Sequence, residues 1–153
     1  MTCGNPVRLD FHSSFDMLDF VQVVSDHIGR MSGLDDDAVH WVGVAVRESV
    51  INAIKHGNDN DASKRVHVEF MPLDGSAPGI AIKVRDEGPG FDPQSLPDCL
   101  SPENILKSSG RGIFLIRSFM DDVQLQRMPQ GGMEIRMVKR AAAPAASDSS
   151  SPL

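Results

Sequence analysis

A two-layer α/β sandwich, with a mixed and mainly antiparallel sheet covered by helices on one face, is the fold that this 153-residue sequence predicts. Three observations predict it. Runs of alternating apolar and polar residues come in neighbouring pairs joined by turn-forming residues, as in hairpins. Segments with apolar residues at helical spacing lie between those pairs. The resulting order, β-α-α-β-β-loop-α-β-β, sets consecutive strands side by side.

The elements follow in order. "VRLDFHS", from Val7, alternates and reads as a strand. From Phe15 to about Met31, the residues Phe15, Leu18, Val21, Val24 and Ile28, with Phe20 beside them, recur at helical spacing. Ser14 suits the N-cap and Gly33 closes the segment. Asp35 suits the N-cap of a second helix, and Asp36 and Asp37 complement the positive end of its dipole. That helix is expected to run to about His56, with Gly57 as its stop. "RVHVEFMPL" and "GIAIKVRDE" are strands joined by "DGSAPG". "GPGFDPQSLPDCLSPENILKSSG" has no periodicity, and a loop this long in a small domain is functional or disordered. "GRGIFLIRSFMDDV" reads as a helix that starts in glycines, and "QLQRMPQGGMEIRMVKR" as a hairpin turning near Gly131 and Gly132. The Ala/Ser/Pro-rich stretch 141–153 is expected to be a disordered tail, which leaves 1–140 as the domain. Trp41, Phe114 and Met120 are expected in the core.

Bulk properties exclude several functions. The composition, 41% hydrophobic and 24% charged, is ordinary for a soluble globular domain. A net charge of −6 argues against nucleic acid as a partner, because phosphate neutralisation needs a basic face. No apolar run approaches the ~20 residues that span a membrane, and no signal-peptide core opens the chain. Cys3 and Cys99 form neither a disulfide framework nor a metal spacing, so a reducing cytoplasm is expected.

Three clusters carry chemistry. Glu48, Asn52 and Lys55 interrupt an otherwise apolar helix at spacings of four and seven, so they share one face. A carboxylate, an amide oxygen and an ammonium suit a magnesium-bound polyphosphate, since Mg²⁺ takes few protein ligands. An amphipathic surface stripe explains the same spacing. Asp86 ends an apolar strand and is followed by Gly88 and Gly90. Such a carboxylate can accept a hydrogen bond from an exocyclic amine while the glycines let backbone approach a ligand, or it can merely cap a Gly-Pro turn. Gly110, Arg111 and Gly112 open the last helix, whose free N–H groups and dipole attract anions, although glycines also begin ordinary helices. The P-loop pattern is absent.

Together and in this order, the clusters resemble the GHKL ATPases, the family with the Bergerat fold. "ESVINAIKH" looks like the N-box, "DEGPG" the first glycine box and "GRGIFLI" the second. The loop at about 91–109 falls where that family has its ATP lid, and the resemblance covers residues 7 to 139. The stand-alone anti-sigma factors that are serine/threonine protein kinases are the most similar branch. The N-box begins with Glu48 and ends in "KHG", and no helix carrying a phosphorylatable histidine precedes it.

The resemblance implies the following. ATP and Mg²⁺ are the cofactors. Asn52 binds Mg²⁺, Lys55 lies near the phosphates, and Asp86 holds the adenine amine. Gly88, Gly90, Gly110, Arg111 and Gly112 shape the nucleotide site, and Glu48 is the general base. The protein phosphorylates an anti-anti-sigma, STAS-like partner and sequesters a sigma factor, and the family suggests a homodimer. Two alternatives are an ATP-binding module that switches partners without efficient phosphotransfer, and a detached catalytic domain of the histidine-kinase type. Where the family often has Thr after Gly near the last hairpin, this chain has Met133.

Overall fold

The alternating runs form five strands, β1 (Val7–His12), β2 (Arg65–Leu73), β3 (Gly79–Arg85), β4 (Asp122–Arg127) and β5 (Met133–Arg140). The computed structural model describes residues 4–75, 77–90 and 108–142, with 108–111 described through the backbone alone. The sheet order is β1-β2-β3-β5-β4, and every neighbouring pair is antiparallel. The sheet, expected to be mixed and mainly antiparallel, is antiparallel throughout. Reaching β4 from β3 takes the chain over a helix to the sheet edge. A tight turn then brings β5 back between them, with Gly131 and Gly132 at φ +101 and +90 as the hairpin requires.

Alternation decides the two faces. Val66, Val68 and Phe70 of β2 are fully buried, as are Ile80 and Ile82 of β3 and Met137 of β5. They meet three helices, α1 (Leu18–Met31), α2 (Asp36–Asn52) and α3 (Ser108–Phe119). Helix α2 lies between the other two and contributes Val39, Val42, Ala45, Val46 and Val50 to one continuous core. Its N-terminus is capped as expected, with Asp35 Oδ1 accepting from the Ala38 amide at 2.8 Å. Arg8, Asp10, His67, Glu69 and Lys83 lie on the opposite face, where Arg8 and Glu69 pair at 3.6 Å.

Several boundaries differ from the sequence reading. A short 3₁₀ turn, Phe15–Met17, precedes α1, and Ser14 caps that turn rather than the helix. Helix α2 ends at Asn52 and continues as a π-turn, Ala53–Gly57, closed by the Asn58 amide on the Ala53 carbonyl at 2.8 Å. Strand β3 stops at Arg85, which leaves Asp86 just beyond it. Helix α3 starts at Ser108, two residues before the glycines, and stops at Phe119, so that Asp122 and Val123 open β4.

Two aromatics leave the expected core. Trp41 is 40% exposed and stacks on Phe119, ring centroids 4.1 Å apart, at the edge of the helical layer. Phe114 is 41% exposed, whereas Met120 is buried as expected. The expected lid at 91–109 and the expected tail at 141–153 lie largely outside the described residues. Ser108 and Ser109, assigned to the lid, are helical, and Ala141, assigned to the tail, donates its amide to the Pro78 carbonyl at 2.7 Å. Among the described residues, no helix is long and apolar enough to cross a membrane.

Candidate functional site

Asp86 is the most constrained residue among the sequence candidates. It is 6% exposed, yet it carries a carboxylate. Two backbone amides hold one of its oxygens, since Gly88 N and Met133 N donate to Oδ1 at 2.9 and 3.1 Å. Its own amide donates to the Met133 carbonyl at 3.0 Å, so a bond one residue beyond the β3–β5 ladder fixes its backbone. Burial pushes the Asp86 carboxyl above the usual carboxylate range, against the opposing pull of the two amides. Oδ2 receives no hydrogen bond from the described residues. Met133 thus serves Asp86 through its backbone at the position where a threonine is common in the family.

Glycines make room around this carboxylate. A Cβ on Gly57 would overlap Asp86 Oδ2, and one on Gly88 would overlap the Gly57 carbonyl oxygen. A Cβ on Gly132 would overlap the Asp86 carbonyl oxygen. The helical run ends at Gly57, as its position suggested, and Gly57 is a packing residue as well. The chain reverses at Asp59 and Asn60, both left-handed, at φ 53 and 57. Gly57 and Gly132 are site-forming residues that sequence reasoning missed. Both sit at positions where a turn already explains a glycine, and the contact that demands one comes from a distant strand end.

The end of α2 lies against two of the three clusters. Gly57 brings its π-turn onto Asp86, and a Cβ on Gly112 would sit 2.8 Å from Asn52 Nδ2 and 3.2 Å from Oδ1. The first glycine box, the N-box and the second glycine box thus share one region of the fold. Glu48, one helical turn before Asn52, is half-buried and makes no hydrogen bond or ion pair among the described residues. Lys55 is exposed and lies inside the π-turn, where the α-helical spacing that aligned it with Glu48 and Asn52 no longer holds. Gly90 is left-handed, at φ +76, and packs on Arg127 rather than on Asn52. Gly110 and Arg111 are in the first turn of α3, whose amides have no partner within the helix.

These contacts predict that two glycine substitutions differ in kind. Gly88→Ala drives a methyl into a carbonyl, which cannot yield, and should cost about 2 kcal/mol or more, several degrees of melting temperature. Gly112→Ala meets only the end of the Asn52 side chain, which can swing away. The resemblance to the GHKL ATPases predicts that it melts near the parent and loses nucleotide affinity. Thermal melts and a nucleotide titration on both variants check this, and equal destabilisation by the two would contradict it.

Among the described residues, no group of three or more His, Cys, Asp or Glu could hold a metal ion. The family model for the histidine kinase-like ATPase domain matches residues 17–139. A serine-protein kinase RsbW of Staphylococcus aureus is 29% identical over 140 residues, covering 87% of this chain and 85% of its own. The protein of the same name from Staphylococcus epidermidis is 28% identical over the same span. With the three motifs in one fold and a family match over most of its length, the chain belongs to the histidine kinase-like ATPase domain family, a member of the GHKL group.

Proposed function

We propose that this protein is an ATP-dependent serine/threonine protein kinase of the anti-sigma type. It phosphorylates an anti-anti-sigma, STAS-like partner and otherwise sequesters a sigma factor. The observation that carries the reading is the meeting of Asp86 with Gly57 and of Asn52 with Gly112, in a chain whose relatives are named serine-protein kinases over 87% of its length. Asp86 Oδ2 accepts the adenine amine. The free amides at the start of α3, with Arg111, receive phosphate oxygens. Lys55, on the π-turn, reaches the same phosphates from solvent.

Asn52 would hold Mg²⁺ through its amide oxygen, and the missing Cβ of Gly112 leaves room for that amide. One or two protein oxygens suffice, because Mg²⁺ keeps waters and phosphate oxygens as its other ligands and supplies charge neutralisation on the phosphates. Glu48 takes the proton of the attacking serine or threonine hydroxyl on its carboxylate. The hydroxyl oxygen bonds to the γ-phosphorus as the bond to the β-phosphate oxygen breaks, and ADP leaves. The protein works in the cytoplasm, as a homodimer.

Incubation with labelled ATP and candidate STAS-like proteins tests this. Acid-stable phosphoserine or phosphothreonine on the partner is the expected result. An acid-labile phosphohistidine, or partner binding with no label, would overturn the kinase assignment.

A further inference from the structure

Asn58 is 0% exposed, and each of its polar groups is occupied. Its Nδ2 donates to Ser13 Oγ at 2.8 Å and to the Arg65 carbonyl at 3.0 Å. Its Oδ1 accepts from the Glu87 amide at 2.7 Å. Its amide closes the π-turn on Ala53 at 2.8 Å, and its carbonyl accepts from Asp61 N at 2.9 Å. The partners fix the amide orientation, because carbonyl and hydroxyl oxygens face Nδ2 and an N–H faces Oδ1. One side chain therefore ties the end of β1, the start of β2 and the residue after Asp86 to the end of the N-box helix.

The Glu87 bond matters most. Asp86, Glu87 and Gly88 each have an amide partner, and these partners are Met133, Asn58 and Asp86 itself. Met133 holds the preceding peptide, through the Asp86 amide, and the Asp86–Glu87 peptide is held at its own N–H by Asn58. Its rotation would turn the Asp86 carboxylate away from the position that the glycines leave open. The Glu87 side chain adds a second anchor outside the core, with Oε1 accepting from Arg65 N at 2.8 Å and Oε2 at 2.9 Å from His67 Nε2.

We infer that Asn58 is a positioning residue for nucleotide recognition: through the Glu87 amide it sets the orientation of the Asp86 carboxylate, and so the preference for adenine. The inference rests on reading Asp86 as the adenine acceptor. It separates from ordinary structural support because Asn58 has two branches. The Ser13 and Arg65 branch ties strands together, and the Glu87 branch aims the carboxylate.

The test compares ATP with ITP, which carries an oxygen in place of the exocyclic amine, on the parent, Asn58→Ala and Ser13→Ala. Ser13 bonds Asn58 Nδ2 and the Lys64 carbonyl, at 2.8 Å each, and makes no hydrogen bond to Asp86. Asn58→Ala should weaken ATP about tenfold and ITP little, so that the ATP-over-ITP preference falls by the same factor. Ser13→Ala should lower the melting temperature and keep the preference. A preference unchanged in folded Asn58→Ala would overturn the inference alone. A parent with no preference for ATP over ITP would overturn the Asp86 reading and the inference with it. Hydrogen exchange on the parent needs no variant. The Glu87 amide should be as protected as the β2–β3 ladder, and rapid exchange there would overturn the inference.

Discussion

Asp86→Asn is expected to lose adenine-nucleotide affinity by roughly one to two decades and to melt no lower than the parent protein. The two halves of this result have the same origin. Oδ1 accepts from Gly88 N and Met133 N, and the amide oxygen of an asparagine can accept both bonds in the same place. An NH₂ group then stands where Oδ2 stood, beside Gly57. It presents donors to the exocyclic amine of adenine, itself a donor, so a charge-assisted acceptor becomes a donor–donor clash. The backbone frame is unaffected, because Asp86 N still reaches the Met133 carbonyl.

Stability moves the other way. Burial holds the folded-state Asp86 carboxyl above its ordinary value, so the folded protein binds this proton more tightly than the unfolded chain does. Where the native state carries the extra proton, stability falls as pH rises. Asp86 therefore contributes most at acid pH, below its unfolded value, and that contribution is lost as pH climbs through the raised folded value. A neutral asparagine has no such slope. The melting temperature of Asp86→Asn should match the parent near the acid end and gain on it as pH rises above the ordinary carboxylate value of about 4. Calorimetric titration with ATP and melts across pH check both halves. Unchanged ATP affinity would remove Asp86 from the adenine site.

How much of this was legible depends on whether the signal was local. Asp35 as an N-cap and Gly131–Gly132 as a hairpin turn are decided by residues within a few positions, and the structure has both. The strands were legible because burial on one face imposes a period of two. The π-turn at Ala53–Gly57 was not, because nothing in "AIKHG" distinguishes five residues per hydrogen-bonded turn from four. Its closure involves Asn58, a residue whose bonds reach to Ser13 and Glu87, 45 and 29 positions away. Trp41 misled for a different reason. Its size suggests burial, but its place in α2 is at the edge of the helical layer, where it covers Phe119 instead of facing the sheet. For the candidate site, each motif alone matched a common turn or helix start. What raised it above chance was their order along the chain, and the contacts between Gly57 and Asp86 and between Gly112 and Asn52 are the physical form of that order.

Glu48→Ala should leave Mg·ATP affinity, melting temperature and partner binding near those of the parent and reduce phosphotransfer by ~10²–10⁴-fold. Glu48 is half-buried on α2, one turn before Asn52, and no described residue engages its carboxylate. A structural carboxylate in that setting would have a partner, and its removal would cost stability. A carboxylate kept without one is free to accept a proton from an incoming hydroxyl. A base of this kind meets the substrate hydroxyl and not ground-state ATP, so its loss appears in the chemical step alone. If Glu48 held Mg²⁺ or a phosphate-bound water, affinity would fall together with rate. Single-turnover transfer from labelled ATP, beside a nucleotide titration on the same preparation, distinguishes these cases. Glu48→Gln sharpens the comparison, since it keeps the shape and hydrogen-bonding reach but cannot take the proton, and it should be as slow as the alanine variant. Transfer at the parent rate by either variant would remove the base assignment and leave a nucleotide-dependent binding switch as the function.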